Sequence, residues 1–345
     1  MMQSAGEPKH PPVPVSYPIM HSPDRGLKER GGISMKKLLT LVLAVVLMMS
    51  IAVAATAEGI IYIITPSTSN PFFKTEQDVG APKAESLGYE VKCFSHDDDA
   101  AAQLQLFEAA INDKAVAIIC DNAGADASIE AVRKAKDAGI PTFLIDREIN
   151  EAGLAIAQIV ADNAQGAAAI AEKWVEAMNY EGKYAELVGR ESDTNAHVRS
   201  ENYHAVIDQY DTMEMVAQQS ANWDQTEAYS KTEAILQEHP EITGIICGND
   251  TMACGATEAC IKAGREDIKI IGLDGSDEAA AYIKDGKMVG TALQQIAAIT
   301  ELAIEQADAY IKDGTLPETE KQLVPCVAIT IDNVDKLSAF VYTGE

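Results

Sequence analysis

Residues Ala117–Glu148 read AIICDNAGADASIEAVRKAKDAGIPTFLIDRE, and residues Gly244–Asp277 read GIICGNDTMACGATEACIKAGREDIKIIGLDGSD. Each passes from a short apolar run through a polar turn and a helix-length stretch to an Ala-Gly stop. Each then enters a second apolar run that ends in aspartate. The spacing is shared too, with 26 positions from Cys120 to Asp146 and 27 from Cys247 to Asp274. Strands that are apolar along their whole length need cover on both faces, as in parallel sheets flanked by helices. The repeat therefore predicts an α/β fold of two similar, doubly wound parallel-sheet lobes. At 345 residues the chain also exceeds one ordinary core.

The same alternation runs through the rest of the chain. Strands are expected at Ile60 to Thr65, Glu90 to Phe94, Ala117 to Cys120, Thr142 to Ile145 and Tyr184 to Val188. More follow at Met213 to Gln218, Gly244 to Cys247, Ile268 to Leu273 and Val289 to Leu293. Between them, stretches such as Ala100 to Asn112 and Ser128 to Ala138 carry helical periodicity and end in Gly or Asn stops.

The amino-terminal 57 residues have a different character. Met35-Lys36-Lys37 precedes an uncharged stretch from Leu38 to Ala55, and Ala55-Thr56-Ala57 supplies the small residues of a cleavage site before Glu58. This is the pattern of a secretory signal peptide over 35–57, with a retained membrane anchor as the alternative. Residues 1–34, rich in Pro and Gly, read as a disordered upstream extension. The first cysteine after the apolar run is Cys93, too far away for a lipid-modified terminus. The expected exported chain runs from Glu58 in the periplasm or extracytoplasmic envelope, with no membrane insertion after cleavage.

Of 27 basic and 53 acidic residues, 6 and 3 precede Glu58, leaving 21 against 50. So acidic a chain repels phosphate backbones, which argues against nucleic acid as a partner. The six cysteines lie mostly inside apolar runs and read as buried free thiols. Neither their spacing nor their neighbours predict a metal site, and nothing points to a cofactor.

The residues that follow the strands share a chemistry. They include Asn70 with Phe72 and Phe73, Asp121-Asn122, Asp146-Arg147, Gly189-Arg190, Asn249-Asp250, Asp274 and Gln294-Gln295. Ligands of open parallel sheets bind beyond the carboxyl ends of strands, where these side chains gather. Planar Asp, Asn, Gln and Arg groups match hydroxyls that donate once and accept twice, and aromatic faces match the C–H face of a sugar. Each Asp or Asn could instead cap the next helix. An enzyme using Asp146 and Asp274 as a carboxylate pair is a further alternative. However, the chain has neither a Gly-x-Gly-x-x-Gly nor a Gly-x-Ser-x-Gly turn.

From Gly59 to the C-terminus the chain resembles the ribose-binding-like periplasmic substrate-binding proteins that feed ATP-driven sugar importers. The resemblance is carried by SNPFF, IDRE, CGNDTMACGA, IIGLDGS and GTALQQ, in that order. It implies two lobes joined by a three-crossing hinge, 58–161 plus 295–324 and 162–294 plus 325–345, with a ligand in the cleft between them. It also implies that Asn70, Asp146, Arg147, Asn249, Asp274 and Gln294 bind sugar hydroxyls. By the same resemblance, Phe72 and Phe73 look like ring-stacking residues, and Trp223 in SANWDQ falls where the family often has an aromatic lid.

One stretch departs from the family pattern. Aligned on Tyr203 in GRESDTNAHVRSENYHAV, Arg199 takes the second arginine position, and His197 falls where ribose binders place a ligand arginine. An imidazole differs from a guanidinium fork in donor count and reach, which leaves ribose, another pentose and a short polyol such as a tetritol open. The implied function is capture of a small neutral sugar or polyol by a monomer and delivery to the membrane permease of an ABC importer. The alternative is a sensor that presents the sugar to a chemoreceptor or kinase.

Overall fold

A computed structural model of the chain describes residues 57–344. The upstream extension and the signal segment expected over 1–34 and 35–57 lie outside the described residues, Ala57 excepted. Twelve strands form two six-stranded sheets. The first holds β1 (Ile60–Thr65), β2 (Glu90–Ser95), β3 (Ala117–Cys120), β4 (Thr142–Ile145), β5 (Ala157–Ala161) and β11 (Lys321–Val324), in the order β11-β5-β4-β3-β1-β2. The second holds β6 (Gly182–Val188), β7 (Met213–Ser220), β8 (Gly244–Cys247), β9 (Lys269–Asp274), β10 (Gly290–Leu293) and β12 (Val327–Thr330), in the order β12-β10-β9-β8-β6-β7. All pairings within the first sheet are parallel, and β12 alone runs antiparallel in the second.

The expected α/β architecture of two matching sheets is therefore present, and the repeat seen in the sequence is β3 to β4 in one sheet and β8 to β9 in the other. Central strands are buried end to end, as their unbroken apolar runs require. The nine expected strands form, their ends shifted by at most two residues. Strands β5, β11 and β12 carry no sequence signal of comparable strength. The β5 run, Ala-Gln-Ile-Val-Ala, becomes a strand because β4 and β11 pair with it on either side.

Nine helices connect the strands among the described residues: α1 (Pro71–Ser86), α2 (Ala100–Asn112), α3 (Ile129–Asp137), α4 (Asn163–Ala177), α5 (Thr194–Ile207), α6 (Gln225–Glu238), α7 (Asp250–Ala263), α8 (Asp277–Lys284) and α9 (Ile296–Asp313). Most start at an Asn, Asp or Ser whose side-chain oxygen accepts a free N–H of the first turn. Helix α9 packs on α1 and the first sheet, while α4 packs on α5 and the second. The backbone thus passes from one sheet's territory to the other's three times: at Asp162, between Leu293 and Ile296, and between Val324 and Val327. All six cysteines are free, Cys93 exposed and the others buried. No helix among the described residues is long and apolar enough to cross a membrane.

Candidate functional site

A cavity lies between the carboxyl ends of the two sheets. The first sheet contributes Phe72 and Phe73 from the start of α1, with Asp146 and Arg147 from the end of β4. The second contributes Asp193, Asn195 and Arg199 at α5, Trp223 after β7, Asn249 after β8, Asp274 at the end of β9 and Gln294 after β10.

Local backbone shape aims these groups. Asp146 and Asp274, the matching ends of the repeat, both have positive φ, at 57° and 135°. Conformations of this kind are costly for a residue with a Cβ and recur at binding sites. Trp223, at φ 66°, lies against the bare backbones of Gly189 and Gly248. A Cβ on Gly189 would stand 2.0 Å from the indole, so glycine is needed there for close approach.

Each wall pairs an arginine with an aromatic ring. The guanidinium of Arg147 lies 5.0 Å from the ring centre of Phe73, and that of Arg199 5.2 Å from Trp223. Phe72 meets Phe73 and Phe340 edge to face, which anchors it in the core. Arg199 donates Nε to Asn163 Oδ1 at 2.8 Å, and Nη1 to the Gly248 carbonyl at 2.9 Å and Asp274 Oδ1 at 3.3 Å. Gln294 Nε2 donates to the same Asp274 oxygen at 2.9 Å. Across the cleft, Arg147 Nε stands 2.9 Å from Asp193 Oδ2, and Asn195 Nδ2 donates to the Asp146 carbonyl at 3.1 Å.

Four polar atoms of the wall are buried without a hydrogen bond: Asp146 Oδ1, Gln294 Oε1, Arg147 Nε and the indole N–H of Trp223. Two acceptors and two donors left dry cost free energy unless a ligand meets them, and a hydroxyl can serve either kind. Burial pushes the Asp146 carboxyl up to about 6, with Arg147 opposing, and the Asp274 carboxyl up to about 8, with Arg199 opposing.

Nine of the eleven residues expected from the sequence line this cavity, and two do not. Asn70 caps α1, accepting the Phe72 N–H at 3.0 Å, and faces the outer cleft instead. The capping alternative holds there, whereas Asn249 both caps α7 through the Met252 N–H at 2.9 Å and lines the cavity. His197 is exposed and its Nε2 lies 3.2 Å from the Glu191 carbonyl oxygen, in a separate surface depression. The reason is helical phase. Asn195 and Arg199 are four apart on α5 and share its inward face, and a residue midway between them points away.

Asp193 and Asn195 were not expected at the site. The pattern Asp193-Thr194-Asn195, a capping residue followed four and six positions later by His197 and Arg199, held the signal. Once Arg199 is placed on a helix, Asn195 must join it.

The periplasmic binding protein domain family matches residues 61–315. The chain is 51% identical over 288 residues to the D-apiose import binding protein of Actinobacillus succinogenes, covering 82% of this chain and 92% of that one. It is 30% identical over 270 residues to the ribose import binding protein of Haemophilus influenzae, covering 78% and 91%. In structure it is similar to an ABC transporter periplasmic solute-binding protein of Actinobacillus succinogenes with bound D-allose. The TM-score is 0.76 at 29% identity, over 80% of this chain and 99% of that one. With the family's domain spanning most of its length and both sheets in place, this chain belongs to the periplasmic binding protein domain family.

Proposed function

We propose that the protein captures D-apiose, or a pentose closely similar to it, outside the cytoplasmic membrane and delivers it to the permease of an ABC importer. The observation that carries this reading is the lining of the cavity between the two sheets, whose unpaired acceptors and donors sit beside two arginine–aromatic pairs. The mixture of acceptors and donors favours several hydroxyls over a charged group, because both arginines are already engaged by carboxylates. Identity of 51% to a D-apiose import binding protein supports apiose over the straight-chain pentoses.

The three crossings serve as the hinge. A ligand that touches both walls favours the closed state by its differential affinity for it, and a permease that docks the closed form thereby senses occupancy. Export with cleavage before Glu58 agrees with the import role of the relatives, and a monomer leaves both lobes free to move.

Thermal unfolding of the purified protein, stripped of carried-over ligand, tests the reading against D-apiose, D-ribose, D-allose, myo-inositol and erythritol. A ligand at 100 times its dissociation constant adds about 2.7 kcal/mol, which raises the midpoint by roughly 5 to 10 °C for a chain of this size. The largest shift is expected with D-apiose. A larger shift with ribose or a polyol would move the assignment to that compound, and no shift with any of the five would overturn sugar capture.

A further inference from the structure

Glu76 lies four residues after Phe72 on α1, on the same face of the helix, and is fully buried. Neither of its carboxyl oxygens meets a hydrogen-bond donor. The same is true of both oxygens of Asp121, just beyond β3, and of Asp146 Oδ1. Oxygens of these three groups lie within 4.8 Å of one another.

The positive charge nearby is already committed. Arg147 gives Nη1 to Asp98 at 2.8 Å and holds Nε 2.9 Å from Asp193, leaving separations of 3.4 Å to Asp121 and 3.8 Å to Asp146. His96 is fixed as the neutral tautomer. Its Nε2 lies 2.8 Å from the Asp121 carbonyl oxygen, which only an N–H can satisfy, while Nδ1 accepts the Asp98 N–H at 3.0 Å. Cys120 on β3 turns to the other face of the sheet, its Sγ 3.9 Å from Gln103 Oε1, and burial keeps it a thiol. Helix α9 and β1 meet this side of α1 with Thr300 and Ile63, at Gly80.

Three carboxylates sharing part of one guanidinium in a dry interior cannot all stay ionised. A proton on one of them resolves both difficulties, because it removes a charge and turns an orphaned oxygen into a donor. Burial pushes the Asp121 carboxyl up as well, but the charge of Arg147, 3.4 Å away, is the first to oppose it, and Asp121 keeps its charge. Glu76, with no guanidinium in contact, takes the proton.

We propose that Glu76 is a positioning residue of the binding site: held as a neutral acid, it donates its proton to the Asp121 carboxylate and leaves Asp146 as the anion that receives a ligand hydroxyl. Burial pushes the Glu76 carboxyl well above the usual range, the charge of Asp146 adding to the effect while that of Arg147 opposes it. The sign of the linkage follows. A folded-state pKa above the unfolded value means that the folded protein holds the extra proton, so stability falls as pH rises above about 4.5, the ordinary carboxyl range. Glutamine imitates the neutral acid, keeps the donor and removes that slope.

The test compares wild type with Glu76→Gln and Glu76→Leu, ligand-free, by thermal midpoint from pH 5 to pH 8. A second arm measures affinity for D-apiose, or for whichever sugar binds, at pH 7. The first arm needs no ligand, so it stands even if the apiose reading fails, and only the second rests on sugar capture. The midpoint of Glu76→Gln is expected to gain on wild type by on the order of 3 °C per pH unit. Its affinity should stay within about threefold of wild type, while Glu76→Leu, lacking the donor, loses about tenfold. In wild type the infrared carbonyl band of a protonated carboxylic acid should persist at pH 8 and lose its Glu76 component in Glu76→Gln, a component from Asp274, pushed up to about 8, remaining in both. That band keeps the proposal testable if a variant fails to fold. A constant midpoint gap, no such band, or a wild-type midpoint that rises with calcium, magnesium or sodium and falls with chelator would overturn it, the last by showing that a cation holds the cluster together.

Discussion

Two buried acids occupy related places beyond the third strand of each sheet winding, and their surroundings are opposite. Asp250, after β8, accepts the Gly275 N–H at 2.8 Å, the Ser276 N–H at 2.7 Å and the Thr291 hydroxyl at 2.6 Å. Asp121, after β3, has no donor on either oxygen and faces Glu76 and Asp146. The carboxyl of Asp250 ties three strand ends of the second sheet together, whereas the acids of the first sheet form an incompletely paired cluster under the ligand cavity. One wall is built as a rigid frame and the other as a tunable electrostatic surface.

Removing the satisfied acid should have the largest consequence. Asp250→Ala strands two backbone N–H groups and a hydroxyl in the interior and is expected to cost at least about 3 kcal/mol in urea unfolding at pH 7. Asp121→Asn should cost less than about 1 kcal/mol in the same measurement, since it removes a buried charge and its amide oxygen can still accept the Glu76 proton. Equal losses would erase the contrast between the walls.

Next in size is the guanidinium of the framed wall. Arg199→Ala leaves Asp274 buried without its cation and takes the support from behind Trp223. Titration calorimetry is expected to show at least a hundredfold weaker sugar binding, about 3 kcal/mol. A smaller step probes the indole alone. In Gly189→Ala the added methyl displaces Trp223, and affinity should drop about tenfold with stability changed much less.

The tunable wall should respond to pH. Asp146, pushed up to about 6 by burial, accepts a hydroxyl more strongly as the anion, so binding favours loss of its proton. Affinity is therefore expected to fall as pH drops through 6, by up to about tenfold per unit below it. An affinity unchanged between pH 7 and pH 5 would show that Asp146 is not a ligand acceptor. Least of all should exposed pairs matter. Lys74 and Asp78, four apart on α1 and both more than half exposed, are expected to contribute less than about 0.5 kcal/mol, read from urea unfolding of Lys74→Ala.

Much of this arrangement is legible in the chain, for a definite reason. Apolar runs of parallel strands announce themselves, and the next residue of each lies at the binding edge, which locates Asp146, Arg147, Asn249, Asp274 and Gln294 without knowledge of tertiary contacts. Residues placed by helical phase are harder to find. His197 and Asn195 sit two apart on α5, and only the face that α5 turns inward decides which one lines the cavity. Asn70 shows a competing local role, because its side chain is spent on the first turn of α1. Glu76 is hidden differently. Within Phe-Phe-Lys-Thr-Glu-Gln-Asp it looks like one more acid on a solvated helix, and only the packing of α1 on β1 and α9 brings it inside. Strand β5 escapes because its pairing, not its composition, makes it a strand.

The most direct test of the central claim is a calorimetric titration of D-apiose into ligand-stripped protein at pH 7, run alongside Asp274→Ala. Saturable binding at one site per chain is expected in wild type and its loss in the variant. Absence of binding to the folded wild type, or equal binding to both proteins, would contradict capture of the sugar in the cavity between the two sheets.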